Sequence, residues 1–224
     1  MRAAILLFFL GDPAAAGTPT SAIRRLRGGG GLAFDAALFD FDGTLVQSEG
    51  LHRLAFSEVL GITINEEEWE RDSVGNSPAK VMSDRLPEGR LAPGETIDDL
   101  LLQRARLFEQ WVAEGKLEAT SGAADLLSDL AEQGVRCAIV SSGSRSYIVK
   151  ALQHLGLERF FETIVAGDDE VMRSGEHKPH PFPYLTAAER LGVRPDRCVA
   201  FEDSLAGIKA GQAANMLVVA GRDV

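Results

Sequence analysis

The sequence predicts an α/β fold: a doubly wound, Rossmann-like parallel sheet into which a smaller, all-helical domain is inserted. Three observations carry that expectation. From Phe34 onward, short apolar runs alternate with longer stretches of helical period, as in a parallel sheet flanked by helices. Several of the helical stretches end on a glycine, the residue that most easily closes a helix in the left-handed conformation. The interval between the first and second strands is far longer than the ~20 to 40 residues that separate strands in a βαβ unit.

The strand candidates, in order, are "AALFDF", "RCAIVS", "ETIVAG", "RCVAFED" and "MLVVAG". Each is brief and mostly apolar, as expected of strands covered on both faces. Between the later ones, "SGAADLLSDLAEQG" sets Leu126, Leu127 and Leu130 on one face, and "SRSYIVKALQHLG" and "PYLTAAERLG" repeat the helix-then-glycine ending. The long interval is itself helical in pattern: "EGLHRLAFSEVLG", "NEEEWERDS", "SPAKVMSDRL" and "ETIDDLLLQRARLFEQWVAEG". The last of these carries Leu100, Leu101, Leu107 and Trp111 as an apolar stripe. The expected organisation is therefore an α/β core over 33–48 and 119–224 and a helical cap over 49–118. An insert leaving the core beside a strand end has the position of a lid, since functional segments concentrate in such connections.

Residues 1–32 are set apart. "MRAAILLFFLGDPAAAG" has the form of a weak signal peptide and "TSAIRRLRGGGG" that of an Arg-rich transit segment, so the extension reads as a targeting or disordered segment. Its apolar run, Ala3 to Leu10, is too short to span a bilayer. The net charge of −10 argues against a broad nucleic-acid or anionic-membrane surface, because phosphate backbones are held by Lys and Arg. Cys137 and Cys198 lie inside apolar runs and read as reduced core residues. A cytoplasmic setting follows, with organelle targeting by residues 1–32 as the alternative.

The chemistry gathers at strand ends, where ligands bind in open parallel sheets. Asp40 and Asp42 close the first strand; Ser141 and Ser142 close the second; Glu202 and Asp203 close the fourth. A carboxylate such as Asp40 can attack phosphorus and form an aspartyl-phosphate. Asp42, two residues on, points to the same face if the strand continues; it can protonate the leaving oxygen and later deprotonate water. Carboxylates so close to a phosphate require a cation, and Mg²⁺ suits oxygen ligands of this kind. Gly43 permits a sharp turn that brings backbone N–H groups to the anion, and Thr44 can fix that turn. Ser141 offers a hydroxyl to a phosphoryl oxygen. Ser142 and Gly143, with the helix start behind them, add contacts to the substrate phosphate. Lys178 in "HKPHP" supplies a cation for the charge on the transferred group. His52, on the first helix of the insert, is a candidate for substrate handling. His177 and His180 lack a zinc-site setting, and His154 reads as helix surface. "DFDGT" alone should arise by chance in well under ~1% of chains of this length.

"DFDGTL", "SSGS", "HKPHP" and "FEDS", in that order and with an insert after the first, resemble the four motifs of the haloacid dehalogenase superfamily. The likeness is to its phosphatase and β-phosphoglucomutase-like branch with a helical cap, and it covers about residues 34 to 221. The resemblance implies Asp40 as nucleophile, Asp42 as general acid/base and backbone metal ligand, and Ser141 and Lys178 as phosphate stabilisers. It implies a Mg²⁺ site made by Asp40, Asp42 and Asp203, with Glu202 beside it. Dehalogenases of this superfamily lack the second aspartate, so that chemistry is disfavoured. Thr44 resembles the phosphatases. The mutases' cap arginine has no counterpart in "VGNSPAK", where Lys80 is the available cation. Gln47 and Phe182 depart from residues common in the family and bear on substrate fit. The expected activity is a Mg²⁺-dependent phosphatase acting on a small phosphorylated metabolite, a sugar or polyol phosphate, with a β-phosphoglucomutase-type phosphotransferase as the alternative and a phospho-aspartate signalling module as a remote one. A monomer is expected, with a weak dimer as the alternative.

Overall fold

In the computed structural model, residues 34–74, 77–170, 172 and 176–221 are described, together with the backbone of Ile5–Leu7, Arg27–Gly28 and Gly31–Leu32. The chain forms two compact units, one of residues 1–46 and 119–224 and the other of residues 47–118. The remainder of the N-terminal extension lies outside the described residues.

The first unit is built on a parallel sheet. Its strands are β1 (Ala36–Phe39), β2 (Arg136–Val140), β3 (Phe161–Val165), β4 (Cys198–Glu202) and β5 (Leu217–Ala220), in the spatial order β5-β4-β1-β2-β3. The backbone of Ile5–Leu7 runs parallel to β5 along its outer edge. β1 is therefore central and buried on both faces, which explains why Ala36, Ala37, Leu38 and Phe39 are all apolar. The helices of this unit are α5 (Ala123–Glu132), α6 (Arg145–Leu155), α7 (Phe182–Leu191) and α8 (Leu205–Ala213). Ala36 and Leu38 face a core completed by Tyr184, Ala187, Ala188 and Leu191 of α7 and Ile208 and Ala210 of α8. Ala37 and Phe39 point the other way by strand alternation, and the Phe39 ring stacks on Phe201 at 4.6 Å. Alanines at the helix–sheet contact let the layers approach closely, while each large apolar side chain removed from water stabilises the unit by roughly 1.5–3 kcal/mol.

Register decides what the strand ends bring together. Phe39 is level with Ile139 of β2 and with Phe201 of β4. The next residues outward, Asp40, Val140 and Glu202, therefore fall in one row. The first strand is shorter than "AALFDF" suggests. Asp40 still donates its N–H to Phe201 O at 2.9 Å, but Phe41 O then accepts from both Leu45 N and Val46 N, and the chain closes into a tight loop. At the sheet's β3 edge, the guanidinium groups of Arg145 and Arg190 each donate to Ile164 O at 2.7 Å, occupying a carbonyl that an edge strand would otherwise present.

The second unit is helical: α1 (Glu49–Leu60), α2 (Glu66–Asp72), α3 (Pro78–Arg85) and α4 (Ile97–Ala113). Local signals set its boundaries. Gly61 closes α1 in the left-handed conformation. Asn65 with Glu68, and Thr96 with Asp99, form capping boxes at the starts of α2 and α4; Ser77 caps α3 with Pro78 in its first turn. The core is Phe56, Val59, Leu60, Ile64, Trp69, Val81, Met82 and Leu100. On α4 the buried positions are Leu100, Phe108 and Val112. Leu101 and Leu107 pack at its margin, and Trp111, expected on the stripe, lies at the edge with Lys116 Nζ 4.9 Å from its ring centre. Cys137 and Cys198 are both free and buried; burial first, then nearby carboxylates, push each thiol up to about 12. Among the described residues, no helix is long and apolar enough to cross a membrane.

Candidate active site

Lys178 organises the strand-end row. Its ammonium donates to Asp40 Oδ1 at 2.6 Å, to Glu202 Oε1 at 2.6 Å and to Val140 O at 2.8 Å, so one bond goes to each of β1, β4 and β2 or their ends. Its side chain is only 7% exposed. A buried ammonium persists only when its three protons are satisfied and opposite charge is close. Burial works against the charge, but Asp40 and Glu202 outweigh it and hold the pKa above the ordinary lysine value.

Asp40 is the other half of this balance. Burial pushes its carboxyl well above the usual range; Lys178 pulls it down, and Glu202 and Asp203 push with burial. Among the described residues, Asp40, Glu202 and Asp203 offer oxygens that all lie within 4.8 Å of one another. An all-carboxylate donor set of this size fits a hard divalent cation such as Mg²⁺, with neither sulfur nor imidazole among the three.

Glu202 differs from its two neighbours. Its Oε1 accepts from Lys178 and from Tyr184 Oη at 2.6 Å, and its Oε2 accepts from Ser204 N at 3.3 Å and Ser204 Oγ at 3.0 Å. Four donors converge on two oxygens, and the residue is 1% exposed. The arrangement makes Glu202 an anchor for Lys178. Ser204 also caps α8, accepting from Gly207 N at 3.0 Å.

Asp42 is directed elsewhere. Its Oδ1 accepts from Tyr147 Oη at 2.7 Å, and its carboxylate is not part of the compact acidic group. The expectation that Asp40 and Asp42 share a face rested on strand geometry continuing, and the loop after Phe39 ends that geometry. Gly43 makes the loop possible with φ +80°; its N–H donates to Val46 O at 2.8 Å. A β-carbon there would fall 2.0 Å from Asp203 Oδ2, so the residue is required by close approach as well as by conformation. Thr44 is 2% exposed and directs its hydroxyl to Asp203 Oδ1 across a long 3.5 Å contact.

After β2, Ser141 Oγ accepts from Gly143 N at 2.9 Å, bracing the turn into α6. Gly143 O accepts from Gly167 N at 2.9 Å, Ser142 is exposed, and Ser144 supplies the α6 cap. His52 lies in the helical unit, its ring stacked on Phe108 at 4.1 Å with Nδ1 against Arg104. Burial, then the Arg104 charge, lower its pKa to about 3; these contacts are those of a packed, neutral imidazole. Lys80, also in that unit, is exposed and paired with Asp84 at 2.6 Å.

Two residues at the site have no counterpart in the sequence expectations, Tyr147 and Tyr184. They are the chain's two tyrosines, and each donates to a carboxylate of the site. The available signal was position: each lies in the first turn of a helix that follows a motif-bearing loop, where a side chain returns toward the strand ends.

Comparison with known proteins adds three findings. The family model described as haloacid dehalogenase-like hydrolase matches residues 34–215. The chain is 34% identical over 191 residues to the fructose-1-phosphate phosphatase YqaB of Escherichia coli, covering 80% of this chain and 92% of that one. It is 30% identical over 190 residues to the phosphoglycolate phosphatase of Nitrosococcus oceani, 81% of each. Among solved structures, a variant of CbbY from Rhodobacter sphaeroides in complex with xylulose-1,5-bisphosphate is similar with a TM-score of 0.67 and 30% identity, over 83% of this chain and 85% of that one.

Proposed function

The chain belongs to the haloacid dehalogenase-like hydrolase family, and on that premise we propose that it is a Mg²⁺-dependent phosphatase of a small sugar or polyol phosphate, working through an aspartyl-phosphate on Asp40. The observation that carries this reading is the placement of a buried ammonium, Lys178 Nζ, 2.6 Å from Asp40 Oδ1. A carboxylate held by one oxygen presents the other to phosphorus, and the same cation lies where charge builds up on the transferred group. Relatives named for fructose 1-phosphate and phosphoglycolate, and one solved with a sugar bisphosphate, support the substrate class.

In this mechanism Asp40 attacks phosphorus as the bond to the ester oxygen breaks, and Asp42 gives its proton to the departing oxygen. Asp42 then takes a proton from water, which attacks the aspartyl-phosphate and frees Asp40 and inorganic phosphate. Ser141 and Lys178 hold the phosphoryl oxygens, with Ser142, Gly143 and Thr44 at the margin. Asp40, Asp203 and the backbone carbonyl of Asp42 would hold the Mg²⁺, while Glu202 orients Lys178. When bound, the metal supplies positive charge that keeps these carboxylates ionised beside a phosphate.

A panel of phosphorylated metabolites scored by phosphate release, with and without EDTA, tests the reading. Asp40→Asn should be folded and inactive; retained turnover would remove Asp40 as nucleophile. Incubation with a hexose 1-phosphate and a bisphosphate primer should release phosphate, whereas rapid isomer formation without it would replace hydrolysis by phosphoryl transfer.

A further inference from the structure

The mechanism asks Asp42 to hold a proton in one step and to accept one in the next, and a loop carboxylate free to rotate would do both poorly. We propose that Tyr147 is the positioning residue for this acid: its hydroxyl holds the Asp42 carboxylate in the orientation from which it gives and takes the transferred proton. The inference rests on the phosphatase reading and adds to it a residue outside the four motifs.

Tyr147 is well placed for the task. Its backbone N–H bonds the α6 cap at Ser144 Oγ, 3.4 Å away. Its ring is enclosed, 7% of the residue being exposed, and meets Phe41 edge-on at 5.5 Å and 80°. Phe41 precedes Asp42 in the chain, so the packing of the ring and the bond of its hydroxyl act on adjacent residues of one loop. Gly143 leaves room on the other side; a β-carbon there would lie 3.2 Å from the tyrosine ring. The phenol is thus held at both ends, and its hydroxyl donates to Asp42 Oδ1 at 2.7 Å. A phenol at neutral pH is a proton donor to a carboxylate.

The steps balance. In the first, the Asp40–phosphorus bond forms as the ester P–O bond breaks, the electron pair of the broken bond remains on the leaving oxygen, and the Asp42 proton moves there, giving an alcohol. The carboxylate so formed is stabilised by the tyrosine hydroxyl. In the second, the Asp42 carboxylate takes one proton from water as the hydroxide oxygen bonds to phosphorus and the Asp40–phosphorus bond breaks. The tyrosine proton stays on Tyr147 throughout.

The test uses Tyr147→Phe, which keeps the ring and removes the hydroxyl, and compares kcat/KM for an alkyl phosphate with that for p-nitrophenyl phosphate. This parameter reports the first transfer, and a nitrophenolate departs without needing a proton. Since general acids contribute about 10²–10⁴-fold, the variant should lose roughly 10-fold or more on the alkyl ester and less than about 3-fold on the aryl ester. Equal losses on both, or no loss on the alkyl ester, would overturn the proposal. The ratio is taken on one preparation, so partial loss of folded protein does not alter it; if the Phe variant does not accumulate, Tyr147→Leu is read in the same way. In an Asp42→Asn background the Tyr147→Phe change should have no further effect on the alkyl ester, and a full second loss would also overturn it. Retained turnover by Asp40→Asn would instead sink the phosphatase reading itself, whatever Tyr147 does.

Discussion

A β-carbon on Gly207 would fall 1.8 Å from Oε1 of Glu202. The carboxylate is held against that glycine by Lys178, Tyr184 and Ser204, so it has nowhere to swing. A small residue in the first turn of α8 is therefore part of what seats the anchor of Lys178.

Gly207→Ala should destabilise the core unit by about 1–3 kcal/mol, the range for overpacking a tight site. It should also lower kcat, because displacing Glu202 displaces the ammonium it holds. Urea unfolding and steady-state kinetics on the same variant check this; unchanged stability would mean that Glu202 has room to move.

Tyr184→Phe tests the anchor from the other side. The tyrosine is fully buried, and burial, then the charges of Glu202 and Asp40, push its phenol well above the ordinary value, so it remains a donor. Losing a hydrogen bond to a charged group costs about 1.5–3 kcal/mol, read as a lower unfolding free energy. Lys178 and Ser204 still hold Glu202, so kcat should fall by less than in Glu202→Ala.

Metal removal should abolish turnover, and Asp203→Asn should raise the Mg²⁺ concentration needed for half-maximal rate. Gly43→Ala should do the same, because its β-carbon would meet Asp203 Oδ2 at 2.0 Å and the backbone there has φ +80°. Titrating activity against Mg²⁺ decides; an unchanged midpoint in both variants would remove Asp203 from the metal site.

His52 makes a pH prediction about stability. Its ordinary value of 6.5 falls to about 3 in the folded chain, so between those values the unfolded chain takes up a proton that the folded one refuses. Stability is unaffected by this group above pH 6.5 and declines as pH falls from there toward 3, by up to ~1.4 kcal/mol per pH unit. His52→Phe keeps a ring against Phe108 and should flatten that decline in thermal melts between pH 7.5 and 4.5. An identical slope in both proteins would show that His52 protonates normally.

Much of this molecule is legible in its residues alone. The alternation of apolar runs with glycine-ended helices specifies the parallel sheet, and the surplus of helical pattern after "DFDGTL" specifies the insert. Both are local properties: capping, turn chemistry and hydrophobic period act over a few residues. The strand-end positions of Asp40, Glu202 and Asp203 follow from the same local reading once the sheet is granted, and Lys178 is read there as the cation of the "HKPHP" turn.

What no local pattern contains is how those ends are wired. That Glu202 faces four donors, that Asp42 turns to Tyr147 once the strand stops at Phe39, and that His52 packs on Phe108 with Arg104 against its ring are outcomes of register and helix packing between residues far apart in the chain. The sequence by itself determined which chemical groups are present and at which strand ends they stand. Only the tertiary structure decided which of them hold one another, because a buried hydrogen bond depends on positions set to within a fraction of an ångström by the whole core.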